Sequence, residues 1–351
     1  MIQKVLWGML IFVPITLVIH FLMDADPVLE FVLSALAIIP LANVIGTSTE
    51  ELSIHTGPKI GGLLNATLGN AAELIITILA IQEGLFELVR ASITGSILGN
   101  LLLVMGLSLL IGGLKNGTQV FDRRTAGMNS TLLILAIVAL AIPSLFDVAI
   151  QDNQAAELGL SEGVAAVMII LYGLSVLYSL RQGGDISHSH SEEPHKPKLS
   201  IGQAAAILAA ATIGIVLMSE ILVGAVEHVT EEIGLTEFFI GIIVIPLVGN
   251  IAEHLVAVQV AYKNKMELSL AISIGSSLQI ALLVAPVLVF ISLLGSEQLL
   301  LVFNGFELIA LIGAGVITAF VAQDGESNWL EGSMLLAVYV MLGLAFYYLP
   351  A

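Results

Sequence analysis

The sequence predicts an all-α polytopic membrane protein: eleven transmembrane helices, arranged as one leading helix followed by two inverted repeats of five. Three observations carry this prediction. The 351 residues are 58% hydrophobic and 11% charged, with a mean hydropathy of +1.03, whereas soluble domains are about 25% charged. The apolar residues fall into eleven runs long enough to cross a bilayer, and a five-residue motif occurs twice, as GNAAE at 69–73 and GNIAE at 249–253.

So few charges cannot give a solvated surface, which excludes a soluble enzyme. The 28 acids against 11 bases, a formal net charge of −17, leave no basic face for nucleic acid. There is no cysteine, so disulfides, thiolate chemistry and Cys-ligated metal centres are excluded.

A helix needs about 20 mostly apolar residues to span the hydrocarbon core. The runs lie at 4–23, 28–52, 61–81, 87–112, 126–146, 163–181, 201–226, 238–262, 266–294, 299–322 and 329–349. None shows the alternating segments of about 10 residues that mark a transmembrane β-barrel. The first run follows a single lysine and has no small-residue cleavage site after it, so it reads as a retained span. With the N-terminus in the cytoplasm, alternate segments collect ten of the eleven bases on the cytoplasmic side, and only Arg90 falls outside. Acids such as Glu83, Asp147, Glu157, Glu227 and Glu297 collect outside, as does the C-terminus. One sizeable hydrophilic stretch, 182–199, reads as a cytoplasmic acidic and His-rich linker. The expected organisation is a leading helix over 1–27, a first repeat over 28–181, the linker, and a second repeat over 200–351.

The repeat register, an offset of 180, extends beyond the motif. Glu87 matches Glu267, Ala91 matches Ala271, Gly95–Ser96 matches Gly275–Ser276, Leu98 matches Leu278 and Gly61 matches Gly241. The motifs lie in the third and eighth runs, five crossings apart, so the two copies point in opposite directions. Inverted repeats of this kind form transporters whose site lies near the bilayer midplane, where the repeats meet.

Glu73 and Glu253 fall near the middle of their runs. An ionised acid there costs about 2.5–3.5 kcal/mol on insertion scales, so it must be protonated, paired with a base or ligated to a cation. Neither run contains Lys or Arg, which leaves protonation and cation binding. Asn70 precedes Glu73 by three residues and Asn250 precedes Glu253 by three, a spacing that puts each pair on one helix face. Ser96 with Asn100 and Ser276 with Gln279 share faces of the following runs. Carboxylate, amide and hydroxyl oxygens suit Ca²⁺, which takes six to eight oxygens at about 2.3–2.6 Å, and disfavour soft metals. Ser96 and Asn100 fit equally well as interhelical hydrogen-bonding groups. Gly69, Gly249 and the Gly95-x-x-x-Gly99 pair permit close helix approach or a local break.

GNAAELI at 69–75 and GNIAEHLVA at 249–257, each followed by a G-S-x-L helix, resemble the two α-repeats of the calcium/cation antiporter superfamily. The resemblance covers the chain from about residue 28 onward and is greatest to the calcium/proton exchanger branch. The sodium-coupled branch has G-T/S-S-x-P-E at these positions. Here Asn70 and Asn250 replace the hydroxyl residue, and no proline precedes either glutamate. The resemblance implies eleven spans, with Glu73 and Glu253 as calcium ligands and proton carriers and Asn70, Asn250, Ser276 and Gln279 close by. Asn100 lies one position beyond the place matched by Gln279.

The implied activity is exchange of Ca²⁺ for H⁺ by alternating access. Ca²⁺ is cargo, with no resident cofactor, and the partners are Ca²⁺, H⁺ and the lipid bilayer. A homo-oligomer is compatible with the sequence. Competing readings are sodium as the coupling ion, a Ca²⁺ channel, and an intramembrane hydrolase, which would need an Asp dyad or a His-Glu metal cluster. Glu220, in the seventh run, and the acidic pair Glu50–Glu51 are candidate pathway residues, with Glu307 and the pair Glu231–Glu232 similar. His254 reads as a proton-coupling residue or as a packed histidine. His188, His190, Glu192, Glu193 and His195 read as a solvated linker or a regulatory metal site. The short N-terminus suits a compact prokaryotic protein of the cell membrane.

Overall fold

The computed structural model describes residues 2–23, 25–150, 152–182 and 197–349. In chain order the helices are α1 (Ile2–Met9), α2 (Phe12–Leu22), α3 (Pro27–Leu68), α4 (Ala71–Gln82), α5 (Phe86–Leu98), α6 (Met105–Asn116), α7 (Arg123–Ile150) and α8 (Gln154–Gln182). They continue as α9 (Ile201–Gly224), α10 (Val226–Ile233), α11 (Glu237–Phe239), α12 (Ile245–Tyr262), α13 (Met266–Gln279), α14 (Ala285–Ser292), α15 (Gly305–Val321) and α16 (Trp329–Tyr347). A two-stranded antiparallel ribbon pairs β1 (Gln119–Val120) with β2 (Glu326–Ser327). Among the described residues, nine helical segments are long and apolar enough to cross a membrane, and α4 and α15 are shorter apolar helices.

Two expected crossings are interrupted. The run at 61–81 leaves helical geometry at Asn70 (φ −100°, ψ 22°), so α4 begins only at Ala71. Upstream, α3 starts on an Asp26 cap whose carboxylate accepts the Val28 N–H at 2.8 Å. It kinks at Gly57 (φ 79°, ψ 170°), where Pro58 follows and disfavours helical geometry in the residue before it. The run at 299–322 is extended over 299–304 and becomes helical only at Gly305, where Asn304 and Glu307 form a reciprocal capping box.

That extended stretch is buried: Leu299 and Leu301 are 0% exposed and Phe303 3%. Its alternate N–H groups are satisfied by serine hydroxyls. Leu299 donates to Ser292 Oγ at 2.8 Å, Leu301 to Ser161 Oγ at 3.2 Å and Phe303 to Ser144 Oγ at 2.8 Å. Ser144 Oγ in turn donates to the Leu301 carbonyl. Irregular backbone at membrane depth survives where the protein itself supplies such partners.

Among the described residues, three π-helical turns interrupt the long helices, at Gly99–Val104, Ile240–Val244 and Ile280–Val284. The first and third coincide under the offset of 180. Single π-turns of this kind recur at functional sites.

The chain divides into two compact units. One comprises the described residues up to 89 and those from 197 to 253. Here α3 packs along α9, with Leu41 filling the space beside Gly214, and α1, α2 and α10 lie against α3. Its buried core includes Ile38, Ile76, Leu88 and Ile215. The other unit comprises the described residues from 90 to 182 and from 254 to 349. Here α6 packs on α16, α7 on α8 and α15, and α13 on the first π-turn. Gly106 and Gly332 let α6 and α16 approach closely, since a methyl at Gly332 would run into the Leu110 backbone nitrogen. Leu101, Leu102, Met105, Leu109, Leu133, Leu140 and Met168 form its core.

Candidate functional site

In the first unit the two motifs meet. Glu73 is not mid-helix, as the sequence predicts, but in the first turn of α4, where the helix dipole favours a carboxylate. Asn70 stands just outside the helix, and its carbonyl accepts the Leu74 N–H at 3.0 Å. The Thr77 hydroxyl donates to the Glu73 carbonyl at 2.6 Å. On the other side α12 runs unbroken through Gly249, Asn250 and Glu253.

Each glutamate packs on the other motif's glycine. A methyl placed on Gly249 would lie 3.1 Å from Glu73 Cδ and Oε1, and one on Gly69 would lie 3.2 Å from Glu253 Oε1. The polar groups that bear on the Glu73 carboxyl are Glu253, the backbone N–H of Glu73 and the Asn250 side chain, with no basic side chain among them. Glu73, Asn70 and Asn250 are buried, Glu253 is half-buried, and both Glu73 carboxylate oxygens are sealed from solvent. Two carboxylates and the Asn250 amide, without a cationic side chain at Glu73, form a donor set for a hard cation or for protons.

The second unit holds the other predicted donors. Asn100 Nδ2 donates to Ser276 Oγ at 3.0 Å, joining the first π-turn to α13. Asn100, Ser276 and Ser96 are buried. Gln279 is half-buried and immediately precedes the third π-turn.

His254 is buried on α12, and its Nε2 has no hydrogen-bond partner among the described residues. Glu220 is exposed near the end of α9, and Glu231 and Glu232 are exposed on α10. Glu50 is exposed on α3. Neither it nor Glu51 lies at a helix end, because α3 continues past both. Glu51 Oε2 accepts the backbone N–H groups of Lys198 at 2.8 Å and Leu199 at 3.2 Å, while His55 Nε2 donates to the Leu199 carbonyl at 2.8 Å. Nothing local in the sequence announces this clasp, because its two sides are 147 and 144 residues apart. Glu307 is buried, with Oε1 accepting the Thr94 hydroxyl and Oε2 the Asn304 N–H, each at 2.8 Å. Its cap was legible as the N-x-x-E signature. The Thr94 contact was not. The histidines and acids at 188–195 lie outside the described residues. Among the described residues, no three His, Cys, Asp or Glu side chains come together to hold a metal ion.

The sodium/calcium exchanger protein family matches residues 27–181 and 203–348. The chain is 44% identical over 364 residues to a Ca(2+)/H(+) antiporter of Aphanothece halophytica, covering 99% of this chain and 97% of that protein. It is 45% identical over 337 residues to the Ca(2+)/H(+) antiporter ChaA of Bacillus subtilis, covering 95% of each. The solved structure of native YfkE superposes with a TM-score of 0.86 at 43% identity, covering 99% of this chain and 100% of that one. With its two G-N-x-A-E motifs packed glycine against glutamate, the chain belongs to the sodium/calcium exchanger protein family, within the calcium/proton exchanger branch of the calcium/cation antiporters.

Proposed function

We propose that the protein is a secondary active transporter that exchanges Ca²⁺ for H⁺ by alternating access, with Ca²⁺ and protons competing for Glu73 and Glu253. The reciprocal packing of the two motifs carries this reading, and the antiporter relatives support the choice of ions. Two carboxylates facing each other in a low-dielectric interior cannot both stay ionised and empty without a large penalty. One Ca²⁺ or two protons relieve it. When only these near-neutral forms reorient, Ca²⁺ moving one way is tied to about two protons moving the other, the number that cancels its charge. Asn70 and Asn250 supply amide oxygens beside the carboxylates. Ser96, Asn100, Ser276 and Gln279 offer neutral oxygens along the route of the cation, and Glu50 and Glu220 stand on exposed helix faces where they attract it.

The same reading takes α4 and α15 as short crossings, giving eleven spans and two inverted repeats. It is supported by a family match to each half, by the register of 180 and by the paired π-turns. It sets the N-terminus in the cytoplasm and the C-terminus outside, in a prokaryotic cell membrane.

Ca²⁺ uptake into proteoliposomes, driven by an imposed pH gradient in sodium-free buffer, tests the proposal. Uptake should collapse with a proton ionophore and vanish in Glu73→Gln and Glu253→Gln. Normal uptake in Glu73→Gln would overturn the site. Uptake that appears only with a sodium gradient would overturn the coupling ion.

A further inference from the structure

We propose that Glu307 is a positioning residue for cation transport, acting through Thr94 to set the rotation of α5. Glu307 is 2% exposed, and the exchange mechanism does not use it. It is held at three points. Its N–H donates to Asn304 Oδ1 at 2.9 Å, its Oε2 accepts the Asn304 N–H, and its Oε1 accepts the hydroxyl of Thr94. Capping α15 requires only one carboxylate oxygen. The second reaches across to a different helix, 213 residues away in sequence.

The helix it reaches carries one of the proposed cation donors, Ser96, and runs directly into the π-turn that carries another, Asn100. Thr94 and Ser96 are two residues apart on α5, roughly 200° around the axis, so a contact at Thr94 holds the side of α5 opposite Ser96. Asn100 follows Ser96 by four residues and shares its face. It enters the π-turn already bonded to Ser276. Freed from Glu307, α5 loses a fixed rotational stop just before a turn whose hydrogen-bond pattern is irregular. Oxygen ligands of Ca²⁺ are useful only within a window of about 0.3 Å in length, and designed sites need supporting residues that hold ligands within about 0.5 Å. A small rotation of α5 therefore weakens cation binding while leaving the carboxylates to run the exchange.

This inference rests on the proposed role of Ser96 and Asn100, and the experiment separates the two. Half-saturating Ca²⁺ and maximal rate are measured in proteoliposomes at a fixed pH gradient. Thr94→Val, which keeps the shape and removes the hydroxyl, should raise half-saturating Ca²⁺ at least threefold with the maximal rate within twofold of the parent. Thr94→Ser should restore it. In a Glu307→Ala background, adding Thr94→Val should change half-saturation no further, since the interaction is already gone. An unchanged half-saturation in Thr94→Val, a loss confined to the maximal rate, or failure of Thr94→Ser to rescue would overturn the inference. Should Thr94→Val not fold, Thr94→Ala is read by the same outcomes. Glu73→Gln run alongside marks the difference: if it still exchanges, the site reading fails. If it is inactive while Thr94→Val matches the parent, only the positioning role fails.

Discussion

Replacing Gly249 by alanine should weaken Ca²⁺ binding by about tenfold without abolishing exchange, and the geometry sets that figure. The new methyl would sit 3.1 Å from Glu73 Cδ and Oε1 and 3.2 Å from Cγ, against an ordinary carbon contact of about 3.5–4.0 Å. The Glu73 carboxyl must therefore retreat by roughly 0.4–0.9 Å. Calcium–oxygen distances span only about 2.3–2.6 Å, so one carboxylate contact is lost or badly stretched. A contact to a charged group contributes about 1.5–3 kcal/mol. The lower end applies because a side chain can partly follow the cation, and it corresponds to about tenfold in affinity. Half-saturating Ca²⁺ in proteoliposomes at a fixed pH gradient is the assay. An unchanged value in a well-folded Gly249→Ala protein would refute the packing of Glu73 against position 249 during binding. Gly69→Ala should behave differently. Its methyl would lie 2.6 Å from the Asn65 carbonyl oxygen, and backbone cannot swing aside, so the loss should appear as reduced yield of folded protein.

Three further outcomes follow from other parts of the molecule. Asp122 caps α7, and its exposed carboxyl is held below the usual carboxylate range by hydrogen bonds from Thr125 and the Arg124 N–H. A depressed folded-state pKa contributes stability that is present above the unfolded value and lost as pH falls through the folded one, so Asp122→Ala should lower the melting temperature at neutral pH by more than it does in acid, a gap read from melts across pH. Glu51→Ala should open the clasp at Lys198–Leu199 and speed tryptic cleavage of that bond relative to Arg181–Gln182, whereas equal rates in parent and variant would count against the clasp. Ser144→Ala leaves the buried Phe303 N–H without its acceptor, at a cost of about 1–3 kcal/mol, and should lower the detergent melting temperature with half-saturating Ca²⁺ unchanged.

The parts legible in the sequence are those that depend on composition and period. Long apolar runs give the nine full-length segments, and the offset between Glu73 and Glu253 points to the pair that packs together. What was not legible depends on partners distant in the chain. Leu299–Phe303 is as apolar as any helix in the protein, and only hydroxyls from three other elements make an extended path tolerable there. The break at Asn70 escapes periodicity because Gly69–Asn70 and Gly249–Asn250 are identical pairs, yet only the first ends a helix. The preceding segments differ: α3 is already kinked at Gly57, whereas α12 follows a π-turn without a break. Glu51, read as a pathway acid, is spent on two backbone N–H groups, a role that charge and position alone do not reveal.

The serine-satisfied stretch also bears on how the chain is made. Ser144, Ser161 and Ser292 all precede Leu299 in the order of synthesis, so every acceptor the stretch requires has been threaded before it emerges. Until those hydroxyls are assembled, Leu-Leu-Leu-Val-Phe at 299–303 has every reason to continue as helix into the bilayer. The path of residues 299–304 therefore depends on tertiary partners, Ser144, Ser161 and Ser292, and not on local hydrophobicity alone. Residues 299–304 thus take their path from hydroxyls that the chain has already placed at 144, 161 and 292.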